Sequence, residues 1–193
     1  MKRLTIEDSI LITVDVQEKL LPVISGKEEL LDKTVRMILG AKELGVPRLY
    51  TQQYTKGIGP SVPEVIAAEV GEDGNGESGA NVFKYTDKKS FSILGEKDFV
   101  DQLPTVSTKK SILLQGIEAH ICVLQSAFDL IEDGYDVYIL ADAVSSRNPI
   151  DTKYALKRLR QAGAILTTVE AALFELTGGA GNEHFKAISK IIK

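Results

Sequence analysis

Three side chains in this 193-residue sequence have the types and placement to do chemistry together: Asp15, Lys88 and Cys122, the last being its one cysteine. Each closely follows a short apolar or β-branched run. Ser9-Ile10-Leu11-Ile12-Thr13-Val14 ends on Asp15, and Ala80–Tyr85 leads into Thr86-Asp87-Lys88-Lys89-Ser90-Phe91-Ser92. Ser111-Ile112-Leu113-Leu114-Gln115-Gly116 leads into Ile117-Glu118-Ala119-His120-Ile121-Cys122. A thiol is mostly protonated at neutral pH, so a carboxylate that accepts its proton makes a nucleophile of it. An ammonium nearby favours the thiolate and keeps the acid from repelling it. Each residue also has a blander role. A lone cysteine often serves as a small buried hydrophobe, and an aspartate after a strand caps the following turn. Clustered lysines are commonly solvated surface.

The elements that would position these groups alternate between strand and helix. Ser9–Asp15 reads as a buried parallel strand, and Lys27–Gly45 as an amphipathic helix with Leu30, Leu31, Val35, Ile38, Leu39 and Ala41 inward. Pro47 leads into a strand over 48–52. The polar segment Gln53–Pro60 is then expected to line a pocket on the rim, with Gln17, Gln53 and Tyr54 as its substrate-binding candidates. Pro63–Val70 reads as a short helix and Gly71–Gly79 as an exposed loop. Ala80–Tyr85 is expected as a strand and Glu96–Leu103 as a helix ended by Pro104. Gly116 is expected to allow a sharp exit from the strand Ile112–Leu114, with helical spacing resuming at His120. Cys122 would sit near that helix's N-terminus, where dipole and N–H groups favour a thiolate of low pKa. A strand over Asp136–Asp142, a loop over Asp142–Arg147, a helix from Asp151 to about Gln161 and a strand at 164–168 follow. Helices at Val169–Leu176 and about Asn182–Ile192 complete the chain. The pattern predicts one α/β domain over 1–193, a three-layer α/β/α sandwich with a mostly parallel six-stranded sheet. Ligands of such sheets bind beyond the carboxyl ends of the strands, where all three candidate residues fall.

Composition narrows the function classes. With 44% hydrophobic and 26% charged residues the chain reads as an ordinary globular protein. A net charge of −4 argues against nucleic acid as its main partner. One cysteine excludes an internal disulfide framework. No apolar run approaches the roughly 20 residues of a membrane span, and Met1–Ile10 resembles neither a secretory nor a transit segment. The expectation is a cytoplasmic protein without membrane contact.

The three motifs resemble those of the isochorismatase-like cysteine hydrolases: Asp15-Val16-Gln17, Lys88-Lys89-Ser90-Phe91-Ser92 and Gly116-Ile117-Glu118-Ala119-His120-Ile121-Cys122-Val123. The resemblance runs from Ile10 to the last helix. The isochorismatase domain-containing subgroup also has segments like Gln53-Tyr54-Thr55-Lys56-Gly57 and Ala141-Asp142-Ala143. It implies Cys122 as nucleophile, Asp15 as general base and Lys88 as the residue that tunes both, although Lys84 and Lys89 stand close by. It further implies a cis peptide at Ile117–Glu118, an oxyanion hole from the backbone N–H groups of Glu118 and Cys122, and a homo-oligomer. The family's nicotinamidases hold a metal through histidines after the second strand. Here that stretch is Thr51-Gln52-Gln53-Tyr54, and His120 and His184 are the only histidines, so no metal or other cofactor is expected.

The function this implies is a metal-independent thiol hydrolase of a small-molecule amide or related bond. A non-catalytic scaffold that keeps the fold, and a vinyl-ether hydrolase that needs no acyl-enzyme, are the competing readings.

Overall fold

In a computed structural model the described residues are 3–71, 82–104, 108 and 110–193. Six strands form one parallel sheet: β1 (Ser9–Val14), β2 (Arg48–Gln53), β3 (Thr86–Lys88), β4 (Ser111–Ile117), β5 (Asp136–Ser145) and β6 (Ile165–Thr167). Their order across the sheet is β3-β2-β1-β4-β5-β6. The helices are α1 (Lys27–Glu43), α2 (Thr55–Ile58), α3 (Pro63–Val70), α4 (Lys97–Val100), α5 (Leu124–Glu132), α6 (Pro149–Gln161), α7 (Val169–Thr177) and α8 (Phe185–Ile192).

Strand periodicity builds both faces. In β1 and β4 the side chains of Ile10, Ile12, Val14, Ile112 and Leu114 join one buried cluster with Ala127, Leu130 and Leu159 from α5 and α6. Leu11 and Leu113 point the other way, into a second cluster with Met37, Ile38, Leu173 and Ile188 from α1, α7 and α8. A strand buried on both faces loses its polar alternation, which is why these runs are continuously apolar. Of the residues expected inward on α1, Leu39 is instead 38% exposed.

The strand order reverses between β1 and β4: chain connections run outward to β2 and β3 on one side and to β5 and β6 on the other. That switch point opens a crevice at the carboxyl end of the sheet. Gly116 belongs to β4 and its requirement is not the exit turn. Its φ is 140°, and a Cβ there would lie 2.2 Å from the carbonyl oxygen of Val14, so glycine lets β1 and β4 close up at the switch point. The turn out of β4 falls on Glu118, with φ 55°.

Several boundaries differ from the sequence reading. Residues 82–85 form no strand; the strand is Thr86–Lys88, which pairs Thr51–Gln53 of β2, while Ala80 and Asn81 lie outside the described residues with most of the 71–79 stretch. The segment Asp142–Ser145 is not a loop. It extends β5: between the pairs Leu114–Ile139 and Gly116–Val144 lie one residue of β4 and four of β5, so the strand bulges before pairing again. Asp142 there accepts a hydrogen bond from the N–H of Val169 at 2.9 Å, a tie to α7. No peptide bond among the described residues is cis, so Ile117–Glu118 is trans.

Candidate active site

Among the described residues, three non-glycine residues have positive φ: Asp15, Tyr54 and Glu118. Each is the first residue past a strand, after β1, β2 and β4 respectively. A left-handed conformation costs an L-residue roughly 1–2 kcal/mol, and such strain gathers where surrounding structure over-determines a functional geometry. Here it turns the chain sharply at the carboxyl edge of the three strands around the crevice.

Asp15 is 1% exposed. Its Oδ1 accepts a hydrogen bond from Thr51 Oγ1 at 2.8 Å, and Thr51 is next to it because β1 and β2 pair Val14 with Thr51. Its Oδ2 lies 2.7 Å from Lys88 Nζ in an ion pair whose angles fall outside hydrogen-bond geometry. One acceptor oxygen of the carboxylate is thereby left without a hydrogen bond.

Lys88 is fully buried, whereas Lys84 and Lys89 are exposed. It ends the edge strand β3, two strands from β1, a gap of roughly 10 Å that only a long side chain spans. Its ammonium donates to Gln53 Oε1, and to the carbonyl oxygens of Ser90 and Phe91, each at 3.2 Å. With Asp15 these acceptors surround the cation, as a buried charge requires. The turn that supplies the two carbonyls is held by Glu96, whose Oε1 accepts from the N–H groups of Lys89 and Ser90 and from Ser90 Oγ. Those bonds, Ser90's first, hold the Glu96 carboxyl below the usual range. Neither Glu96 nor Thr51 was singled out from the sequence; both act through other residues and carry no motif of their own.

Cys122 does not lie in an α-helix. Ala119–Val123 form a π-helical turn that passes into α5 at Leu124, a distortion found mostly at functional sites. Cys122 is 6% exposed. Burial pushes its thiol pKa up to about 12, the Asp15 charge adds to the rise, and Lys88 opposes both. The low pKa expected from the helix terminus is therefore corrected: desolvation and the carboxylate outweigh the lysine, and the resting sulfur carries its proton.

A cavity of about 260 Å³ has Cys122 in its wall, together with Gln53, Glu118 and Arg147. The remainder of the lining is apolar: Leu20, Val23, Ile58, Phe91 and Ile121. A larger depression of about 370 Å³, over Leu21, Leu31 and Val62, contains none of the acid, amine or thiol. Of the three substrate-binding candidates, the structure brings Gln53 to the cavity and not the other two. Gln17 is fully buried as a strut: its Nε2 donates to the carbonyls of Gln53 and Gly59 and its Oε1 accepts from the Gln53 N–H. Tyr54 is about half exposed, with its ring folded over Gly57. His120 bonds Ser146 Oγ through Nδ1 at 2.9 Å and faces a separate cavity beside Asp151 and Tyr154. His184 pairs with Glu43. Among the described residues no three of His, Cys, Asp and Glu converge to hold a metal ion.

Known proteins resemble this chain along most of its length. Residues 9–171 match the isochorismatase domain. Isochorismatase domain-containing protein 2 of Xenopus laevis is 40% identical over 184 residues, 95% of this chain and 83% of that protein. Secreted isochorismatase effector Isc1 of Phytophthora sojae is 40% identical over 194 residues, covering 99% and 87%. Among solved structures, MAR1 ribonuclease from Caenorhabditis elegans superposes with a TM-score of 0.86 at 35% identity, covering 99% of this chain and 92% of that one. The YcaC gene product of Escherichia coli, described as an octameric hydrolase of unknown specificity, gives 0.86 at 26% identity, covering 100% and 90%. No helix among the described residues is long and apolar enough to cross a membrane.

Proposed function

The chain belongs to the isochorismatase family of hydrolases, and from that membership and its buried acid–amine–thiol cluster we propose a cysteine hydrolase that cleaves an amide or related bond of a small molecule. The observation that carries this reading is the Lys88–Asp15 ion pair, 2.7 Å long and shielded from solvent, whose two charges both act on the one cysteine. Such a pair is costly to bury, and hydrophobic residues would serve a core better.

In the proposed reaction the Cys122 thiol is neutral at rest, so its proton leaves as the sulfur attacks. Asp15 accepts that proton on the oxygen left without a hydrogen bond, the S–C bond forms, and the carbonyl electron pair moves onto oxygen. The backbone N–H groups of Glu118 and Cys122 are assigned to that oxyanion. Asp15 then protonates the departing nitrogen, the C–N bond breaks, and a thioester remains on Cys122. Water attacks it with Asp15 again taking a proton; the C–S bond breaks and the sulfur recovers its proton. Lys88 keeps the carboxylate in place and offsets the negative charge that passes between acid and sulfur. Metal is given no role, because Thr51–Tyr54 contains no histidine. A homo-oligomer is part of the proposal, supported by the octamer described for YcaC.

The test is a screen of small amides, ureides and carbamates, with Cys122→Ala as control and each active pair repeated after exhaustive chelation. Turnover that survives chelation and disappears in Cys122→Ala supports the reading. Activity lost on chelation and restored by zinc, iron or manganese contradicts it.

A further inference from the structure

We propose that Arg147 is a carboxylate-binding subsite, so that the preferred substrates are small acids whose anionic group docks on its guanidinium while their carbonyl meets Cys122. The inference rests on the cysteine-hydrolase reading above and adds the substrate class. Two charged side chains, Glu118 and Arg147, line the cavity that contains the thiol. They differ in what they offer a ligand. The Glu118 side chain is 9% exposed, and its Oε1 is taken by Arg147 Nε at 2.6 Å. The Arg147 side chain is 55% exposed, and this pair is its one polar contact among the described residues. The guanidinium edge carrying both terminal nitrogens thus has no partner among the described residues. That edge is the one that meets a carboxylate with two parallel hydrogen bonds.

The arginine is also held in place. After the bulge β5 pairs again at Val144 and Ser145, with Gly116 and Ile117 of β4, two residues before Arg147. The preceding residue, Ser146, is fully buried; its carbonyl accepts from the N–H of Ser25 at 3.0 Å and its Oγ bonds His120. Ser145 Oγ donates to the Ser25 carbonyl at 2.7 Å. Glu118 orients the guanidinium from its Nε side and leaves the other edge open. The other ionisable side chains nearby are already engaged: Lys88 by Asp15, and His120 by Ser146 Oγ, with Glu118 3.5 Å and Asp151 4.0 Å from its ring. The apolar walls suit a short hydrocarbon linker, and the amide of Gln53, the other polar group of the lining, is engaged by Lys88 and by the Lys89 carbonyl.

The test uses Cys122 itself as the reporter, with reagents matched in all but charge. N-iodoacetylglycine is compared with N-iodoacetylglycinamide, and iodoacetate with iodoacetamide. Each alkylation rate is divided by that of a free small thiol, so intrinsic reactivity cancels. The native protein is expected to favour the anionic member of at least one pair by roughly tenfold or more, the scale of one charge-assisted bidentate contact. Arg147→Met should bring the ratio near one, and Arg147→Lys should keep part of it. Arg147→Met with Glu118→Gln removes both charges and should behave as Arg147→Met alone, which separates loss of the anchor from stranding of the acid. A native ratio at or below one, or a ratio unchanged in Arg147→Met, overturns the inference while leaving the hydrolase reading standing. Failure of every reagent to alkylate native Cys122 overturns both.

Discussion

Lys88 Nζ and Asp15 Oδ2 lie 2.7 Å apart, and neither side chain is more than 1% exposed. Removing one member of such a pair strands a charge in the interior, a cost of about 3–5 kcal/mol. Lys88→Met should therefore lower stability by about that amount as well as abolish turnover. Thermal or denaturant unfolding of Lys88→Met, compared with Lys88→Met/Asp15→Leu, checks this: the double variant should recover much of the lost stability and none of the activity.

The thiol pKa of about 12 makes two pH predictions. Alkylation of Cys122 by iodoacetamide should keep rising through pH 9 without a plateau. In Asp15→Asn the midpoint should fall, because the carboxylate that raises it is gone while Lys88 remains. That variant should combine an easier ionisation with lost turnover. An ordinary thiol midpoint near 8.5 in the native protein would contradict the burial argument.

The same shift links to stability. The unfolded thiol releases its proton near pH 8.5–9 and the folded one near 12, so between those values the native state holds more protons. This contribution is complete below about pH 8.5 and is lost as pH rises toward 12. Native protein and Cys122→Ala, unfolded in parallel across that window, should show the difference between them shrink or reverse at high pH.

The Gly116 requirement gives a backbone prediction. Gly116→Ala would set a Cβ 2.2 Å from the Val14 carbonyl at a φ of 140°. The two strands cannot both keep their register, and the loss should exceed about 3 kcal/mol, with a visible fall in melting temperature. An alanine variant of native stability would mean that β1 and β4 approach less closely than described.

The helix–strand alternation and the two-faced apolar runs Ile10–Val14 and Ile112–Leu114 were legible in the sequence, since burial on both faces leaves only hydrophobic positions. The acid, amine and thiol could be read as a group because each follows such a run. What stayed hidden depends on register between strands that are distant in sequence. Thr51 touches Asp15 only through the β1–β2 pairing, and Glu96 shapes the Lys88 site through a turn seven residues away. The bulge at Leu140–Ala143 extends β5 through Asp142–Ser145, a segment that reads as a loop because Ala, Asp and Ser carry no strand signal there. The thiol pKa was misjudged for a related reason: charge near a helix end is visible in sequence, and the degree of burial is not.

Oligomeric state has its own check. Light scattering at working concentration should give a multiple of 21.0 kDa, and a species at the monomer mass would remove the homo-oligomer from the account.

The central claim is that Cys122 forms a covalent bond to the acyl group of its substrate. Once the screen supplies an active amide, rapid acid quench during turnover followed by intact-mass and peptide mass spectrometry tests it most directly. The account predicts a mass increase equal to the acyl fragment, located on the peptide containing Cys122 and absent in Cys122→Ala. Turnover that proceeds at full rate in Cys122→Ala, or with the acyl mass on another residue, would contradict it.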